Sequence, residues 1–205
     1  MAFTYEHGSK EQRTDTPLLD INYGLFDHVQ LKLEVPWETV ARDGHHPSGL
    51  GESIAGVKWR FLDEDTHGVA MSIYPQLQFH WPALATARRV RGDEQHWLLP
   101  IQIERPIGPI TVGGEVGLDV ARGEKPRSVY GLAMGHKFTG RFELLGEIHG
   151  TAGPQFRQQE WLANGGCRFN ITRLMTLLAS AGTPVHSFQR DPPKIFSYIA
   201  LQFTF

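Results

Sequence analysis

The sequence predicts an all-β chain that folds as one antiparallel transmembrane β-barrel of about twelve strands. Three observations predict it. Apolar and polar residues alternate with a period of two through nearly the whole chain, helical periodicity is scarce, and short and long connections alternate between the candidate strands. The 205 residues fit a single barrel domain, residues 1–205, and leave little room for a second folded unit.

Twelve segments carry the alternation and are taken as strands. They are residues 2–8, 16–25, 29–38, 53–62, 69–82, 96–104, 110–120, 129–138, 141–150, 160–169, 173–181 and 194–205. The third segment shows the pattern most clearly. Its apolar face consists of Val29, Leu31, Leu33, Val35 and Trp37. Its other face is polar and consists of Gln30, Lys32, Glu34, Pro36 and Glu38.

The connections between these segments alternate in length. The short ones are residues 26–28, 63–68, 105–109, 139–140 and 170–172, and the long ones are residues 9–15, 41–52, 83–95, 121–128, 151–159 and 182–193. Outer-membrane barrels combine short periplasmic turns with longer extracellular loops, and an even strand number places both chain ends with the short turns. We therefore expect the long connections to be extracellular.

Strands with one apolar and one charged face are compatible with two kinds of barrel. A soluble barrel that binds an apolar ligand turns the apolar face inward, whereas a membrane barrel turns it outward. Three features favour the membrane: the polar faces carry charge, the chain ends in Phe205, and aromatic residues lie at strand ends, where interfacial girdles belong. These aromatic residues are Trp37, Phe61, Trp81, Trp97, Phe138, Phe142, Trp161 and Phe169.

Composition and motifs exclude several other classes of function. Lys and Arg number 20 against 22 Asp and Glu, so bulk charge indicates no nucleic-acid surface. One cysteine, Cys167, excludes a disulfide framework and a Cys-based zinc site. The ten histidines form no HExxH motif and no serine lies in GxSxG, so we expect neither a metal site, a cofactor nor an enzyme.

The N-terminus shows no export signal, since MAFTYEHGSK lacks a basic region followed by an apolar run. We expect either that the protein is not exported or that the printed sequence begins after a leader. Two other motifs indicate local structure rather than a ligand. Asp63, Glu64 and Asp65 fit a turn and lack calcium-loop spacing, and the glycines of GGEVG (113–117) allow close approach of a neighbouring strand.

If the apolar faces point outward, charged residues line the lumen. The candidates are Lys32, Glu34, Lys58, Arg60, Glu104, Glu115, Asp119, Lys137, Glu143, Glu147 and Arg168. Adding Glu6, Asp20 and Glu38 gives nine acidic residues against five basic ones. Two interpretations remain open: the charges pair and plug a narrow interior, or they form a polar pathway whose charge selects solutes. We expect inward Lys32, Arg60, Lys137 and Arg168 to pair with Glu34, Glu115 and Glu147 and to occupy most of the interior.

Three segments carry a resemblance to a known family. They are TPLLDINYGLFDHVQLKLEVPWE (16–38), GLGESIAGVKWRFLDED (49–65) and YPQLQFHWP (74–82). They resemble Gram-negative outer-membrane β-barrel proteins, porin-like transporters named for the MetA pathway of phenol degradation. The resemblance implies an outer-membrane location, contact with outer-membrane lipid, and a channel or transporter for small solutes, with aromatic compounds suggested by the family association.

The C-terminal segment IALQFTF (199–205) has apolar residues at alternate positions, namely Ile199, Leu201, Phe203 and Phe205. It is similar to the signal read by the barrel-assembly machinery, which the resemblance adds as a partner. A structural barrel with a plugged lumen stays open as the alternative membrane function.

Overall fold

The computed structural model describes residues 1–8, 11–81, 95–188 and 194–204, and these form one antiparallel sheet. Its strand segments are β1 (Ala2–His7), β2 (Gln12–Leu25), β3 (Val29–Ala41), β4 (Ser48–Leu50), β5 (Ser53–Leu62), β6 (Ala70–Ile73), β7 (Gln76–Phe79), β8 (His96–Ile107), β9 (Ile110–Ala121), β10 (Arg127–Lys137), β11 (Phe142–Gly153), β12 (Arg157–Asn170), β13 (Met175–His186) and β14 (Ile195–Phe203). A four-residue helix, α1 (Glu64–His67), and a 3-10 helix (Pro154–Phe156) lie between strands.

The sheet closes on itself because the first strand pairs with the last, from Ala2 opposite Ala200 to His7 opposite Ile195. β4 and β5 both pair with β3, and β6 and β7 both pair with β5 and β8, so each couple is one interrupted strand. Fourteen segments therefore make twelve strands around the barrel, and the predicted fold class is confirmed. Closure leaves no free sheet edge whose backbone groups would face lipid.

Several predicted boundaries are wrong. β2 begins at Gln12, so the predicted loop 9–15 is mostly strand, and β13 continues to His186. The predicted loop 151–159 is taken up by the ends of β11 and β12 around the 3-10 helix. The predicted strand 69–82 is interrupted at Tyr74 and Pro75, where hydrogen bonds from Tyr74 N to Pro100 O and from Val57 N to Pro75 O maintain the sheet. Most of the predicted loop 83–95 and residues 189–193 lie outside the described residues.

One end of the barrel carries the short turns at residues 26–28, 63–69, 108–109, 138–141 and 171–174, and we call it the turn end; the opposite end is the loop end. The predicted turn at Asp63 contains the single helical turn α1, which Gly68 ends with a φ of 73°. That left-handed conformation suits glycine. None of the described helices is long and apolar enough to cross a membrane.

Large apolar side chains lie on the outside of the barrel. Ile21, Val116 and Met134 are 56%, 61% and 57% exposed. Few apolar side chains among the described residues are buried in the core, and most of them are alanines. They are Ala2, Leu18, Ala121, Ala152 and Ala200. A soluble barrel would show the reverse arrangement, so the soluble alternative is wrong. An apolar outer belt of this extent requires lipid.

Aromatic residues mark both rims of this belt. Trp37, Trp81, Trp97 and Trp161 belong to the loop end, and Phe61, Phe138, Phe142 and Phe169 belong to the turn end. Indole nitrogens find polar partners there: Trp81 Nε1 donates to Ser53 Oγ at 2.9 Å, and Trp161 Nε1 donates to Gln159 Oε1 at 3.2 Å. A ring with an apolar body and one polar atom is suited to the membrane interface.

Glycine permits close strand approach at one position of the GGEVG motif. A Cβ on Gly117 would lie 2.7 Å from Pro100 Cα and 2.8 Å from Leu99 O. Real Cβ atoms do not come this close, so Gly117 has a packing role, as the sequence predicts.

Candidate functional site

The barrel interior contains a cavity of about 1080 Å³. Its lining comes from inward-facing residues of β2, β3 and β5 to β11, together with the turn at residues 26–28 and Glu64 of α1. Six predicted lumen residues line it: Lys58, Arg60, Glu104, Glu115, Asp119 and Glu147. We call this lining the open side of the lumen.

The other five predicted lumen residues, Lys32, Glu34, Lys137, Glu143 and Arg168, share the inward strand face but do not line the cavity. Their register shows the shared face. Glu143 stands opposite both Lys137 and Arg168, and Lys32 stands opposite Asn22, which does line the cavity. The structure therefore divides the predicted set into two groups.

Most of the predicted lumen residues that do not line the cavity form ion pairs. Lys32 Nζ lies 2.8 Å from Glu34 Oε2 and 3.6 Å from Asp20 Oδ2, which belongs to the neighbouring strand. Arg168 Nη1 lies 3.2 Å from Glu143 Oε2. Each carboxylate in these pairs has a Lys or Arg nitrogen within 4.0 Å, and partners of this kind lower the cost of burying charge.

Sequence reasoning missed two further interior ion pairs. Arg13 Nε lies 3.2 Å from Glu38 Oε1, and Arg127 Nη2 lies 3.4 Å from Glu160 Oε2. The predicted strands began after both arginines. The alternation of Arg13 with Asp15 could have extended β2, but the register shifts between Asp15 and Leu18, so the inward positions change from odd to even numbers.

An apolar cluster fills the interior beside these pairs. Ala2, Leu18 and Ala200 are buried there, and Leu178 and Tyr198 pack against them. These residues come from β1, β2, β13 and β14, whose strands stand together in the barrel order. We call this cluster, together with the Lys32, Arg13 and Arg168 ion pairs, the packed side of the lumen.

Carboxylates of the open side have a different environment. Gln102 Nε2 donates to Glu115 Oε2 at 2.6 Å, His149 Nδ1 lies 2.7 Å from Glu147 Oε1, and His96 Nδ1 lies 3.4 Å from Asp119 Oδ1. Over the described ranges, no Lys or Arg nitrogen comes within 4.0 Å of any cavity-lining carboxylate. These carboxylates are Asp27, Glu64, Glu104, Glu115, Asp119 and Glu147.

The two basic residues of the open side do not pair with those carboxylates. Arg60 Nε lies 2.7 Å from Asp63 Oδ1, and its Nη2 donates to Asp27 O at 3.3 Å. Lys58 Nζ lies 5.8 Å from the centre of the Tyr74 ring, a cation–π distance. The expected pairing of Arg60 with Glu115 or Glu147 is wrong, because Asp63, three residues along the chain, is within direct reach. The same expectation for Lys137 fails, since no carboxylate lies within 4.0 Å of its ammonium among the described residues.

Small residues form the floor of the cavity on β9 and β10. Gly113, Gly114, Gly131 and Ala133 all line it. Ala133 stands opposite Gly113 on one side and Glu147 on the other. No group of three or more His, Cys, Asp or Glu residues in the described part of the chain is arranged to hold a metal ion.

Three of the four predicted assembly residues, Ile199, Leu201 and Phe203, lie on the outer face of β14. Ile199 and Phe203 are each 52% exposed, Leu201 is half-buried, and Phe205 lies outside the described residues. Their role in assembly stays a prediction.

No protein-family model matches the chain, and no curated protein matches it. Solved structures do. The chain is similar to the KdgM porin at 9% identity and a TM-score of 0.66, over 100% of this chain and 99% of that chain. The chain has the fold of outer-membrane porins. It is also similar to an outer membrane channel from Pseudomonas putida F1, at 10% identity and a TM-score of 0.73, over 100% of this chain and 93% of that one.

A third similar structure is the KdgM porin in complex with disordered oligogalacturonate, at 10% identity and a TM-score of 0.64, over 100% of this chain and 99% of that one. The shared porin fold and the apolar outer belt together locate the chain in the bacterial outer membrane.

Proposed function

We propose that the chain is an outer-membrane channel through which small polar solutes diffuse, with cations favoured over anions. The observation that supports this most directly is the interior cavity lined by carboxylates that have no Lys or Arg partner within the part of the chain that the structure describes. Fixed charges along a narrow, low-dielectric passage decide which ions enter more strongly than the net charge of the protein does. A transport role follows from this lining, and no reaction is proposed.

The charge balance of the lining is acidic. Six carboxylates face two basic residues, and Asp63, which is not part of the lining, offsets Arg60. The solute named for KdgM, oligogalacturonate, is a polyanion. Such a solute would be repelled by this lining, so we propose a different solute class for this chain: small cations and neutral polar molecules.

Membership in the porin-like family named for the MetA pathway of phenol degradation is part of the proposal and is supported by the segments within residues 16–82. The aromatic solute that this family association suggests is less well supported. Among the described residues, Phe26 is the one Phe, Tyr or Trp side chain in the cavity lining, and amides of Asn22, Gln30 and Gln78 stand beside the charged groups. The lining therefore favours polar solutes.

A plugged structural barrel is the second candidate, favoured by the packed side of the lumen. Purified barrel in a planar bilayer with a salt gradient separates the two. We expect a small current whose reversal potential shows cation preference. Absence of any current supports the plugged barrel, and anion preference contradicts the proposed selectivity.

Liposome swelling tests the solute class with three sugars of similar size. We expect glucosamine, a cation, and glucose to enter faster than glucuronate, an anion. Equal rates for all three would reject charge selection while retaining the channel.

A further inference from the structure

We infer that the conduction path is displaced to the open side of the lumen, away from β1 and β12 to β14, and that the small inward residues Gly113 and Ala133 set its width. The inference rests on the proposed channel function and specifies its route. Both the packing and the charges of the interior support it.

The free volume inside the barrel differs between its two sides. On the packed side, Leu18 is 4% exposed and Ala200 is 5% exposed, so no free space remains beside them. None of the residues that line the cavity belongs to β1, β12, β13 or β14. A twelve-stranded barrel encloses more room than an eight-stranded one, which side chains fill. Here large side chains fill that room on one side, and the remaining volume lies on the other.

Interior glycines show the same division. A Cβ on Gly51 would lie 2.7 Å from Glu38 Oε2, and a Cβ on Gly166, in β12, would lie 2.9 Å from Ser180 Cβ. Side chains of neighbouring residues therefore already occupy the space beside these glycines. A Cβ on Gly113 would find its nearest neighbour at 3.7 Å, a backbone oxygen. The space beside Gly113 is thus free to belong to the path.

The carboxylates of the packed side and of the open side also differ in their partners. Each paired carboxylate of the packed side has a Lys or Arg nitrogen within 4.0 Å, whereas among the described residues Glu115 and Glu147 have only Gln102 and His149 as side-chain partners. Glu143 marks the limit at the turn end, since its Oε1 lies 3.0 Å from where a Gly135 Cβ would be, and Arg168 holds its other oxygen. A cation on the open side therefore meets uncompensated charge along its route.

Cysteine accessibility tests the route in a Cys167→Ser background. Ala133→Cys places a thiol on the open side, and Ser180→Cys is the matched control, a small inward residue opposite Gly166 and Tyr198. Each folded variant, checked by heat-modifiable migration, is treated with cationic trimethylammonium-ethyl or anionic sulfonatoethyl methanethiosulfonate. Modification is followed by mass spectrometry and by current in a planar bilayer.

We expect Ala133→Cys to react at least about tenfold faster with the cationic reagent than with the anionic one, because fixed carboxylates raise the local cation concentration. Its modification should reduce the current by more than half. Ser180→Cys should react at least about tenfold more slowly with the cationic reagent, and its modification should leave the current unchanged. If Ala133→Cys does not fold, Gly113→Cys takes its place.

Faster reaction at Ser180→Cys, or a current blocked there and unaffected at Ala133→Cys, overturns the inferred route while the channel function stands. A parent protein without current, combined with the expected order of reaction rates, rejects the channel function and retains the position of the open space.

Discussion

Gln102 Nε2 donates a 2.6 Å hydrogen bond to Glu115 Oε2 inside the barrel, and the two residues stand opposite each other on β8 and β9. Ser72 Oγ reaches the other end of the same amide, at 3.5 Å from Gln102 Oε1. An amide fixes the position of a carboxylate without offsetting its charge, which an Arg or Lys would do. Glu115 is therefore held in place without a Lys or Arg partner among the described residues.

Glu115→Gln should weaken cation preference, because it removes one fixed charge from the path and leaves its shape almost unchanged. The reversal potential in a salt gradient should move toward zero. The matched control is Glu34→Gln on the packed side, where Lys32 keeps Asp20 as a partner. A larger shift in the control than in Glu115→Gln would contradict the assignment of Glu115 to the path.

Lys32→Met should destabilise the barrel, because it leaves Asp20 and Glu34 together without a cation. Its side chain is 21% exposed, so we expect a cost of about 3 kcal/mol, the lower end for breaking a buried pair. Lys32→Met combined with Glu34→Gln should recover part of this loss. Urea titrations of the barrel folded in lipid vesicles measure both values. Equal stability of the single variant and the parent would show that the pair contributes nothing.

Leu33→Arg should cost more than Val29→Arg on the lipid face. Leu33 lies near the middle of the membrane-spanning part of β3, whereas Val29 is the first residue of that strand at the turn end. Arginine at the bilayer midplane costs about 2–4 kcal/mol, and the cost decreases toward about 0–1 kcal/mol at the interface. Folding titrations into vesicles give the comparison, and a reversed order would mean that β3 sits differently in the bilayer.

Topology can be read from thiol labelling on whole cells in the Cys167→Ser background. Cysteine at Gly44, in the connection between β3 and β4, should react with an impermeant maleimide. Cysteine at Gly140, in the turn between β10 and β11, should react only after the cells are opened. The opposite result would place the loop end in the periplasm.

Deleting Phe205 should reduce the amount of heat-modifiable barrel in the outer membrane. β14 must both close the sheet against β1 and present the outward Ile199, Leu201 and Phe203 to the assembly machinery. An unclosed strand in lipid leaves backbone groups that cost several kcal/mol each. Normal assembly of the shortened chain would remove Phe205 from the predicted signal.

The sequence was sufficient to predict the twelve strands and their two faces, because lipid on one side and water on the other impose a strict period of two. The outward position of Leu33 and the inward position of Lys32 follow from the alternation of apolar and polar residues around them in the sequence. Interruptions of that period were harder. The register shift after Asp15 and the break at Tyr74 depend on how each strand pairs with its neighbours, which the alternation within one strand does not show.

The division of the lumen could not be read from the sequence. Whether Glu115 has a cationic partner depends on which strands stand beside it and how far their side chains reach. Arg60 takes Asp63 because a turn brings the two together, and Gly113 leaves space because the nearest atom to a Cβ there would be the Ile103 backbone oxygen at 3.7 Å. Alternation along each strand identifies which side chains face the interior. The pairing of strands in the closed barrel determines which of these side chains lie next to each other.

The separation of the packed side from the open side has a consequence for how such a barrel can diversify. Residues that secure the fold from within, such as Lys32 and Leu18, are not the residues that a solute meets. Substitutions at Glu115, Ala133 or Gln78 can therefore change what passes while the free energy of unfolding stays close to that of the parent. A chain built this way can exchange one solute for another by single substitutions, and nearly identical scaffolds can serve unrelated nutrients.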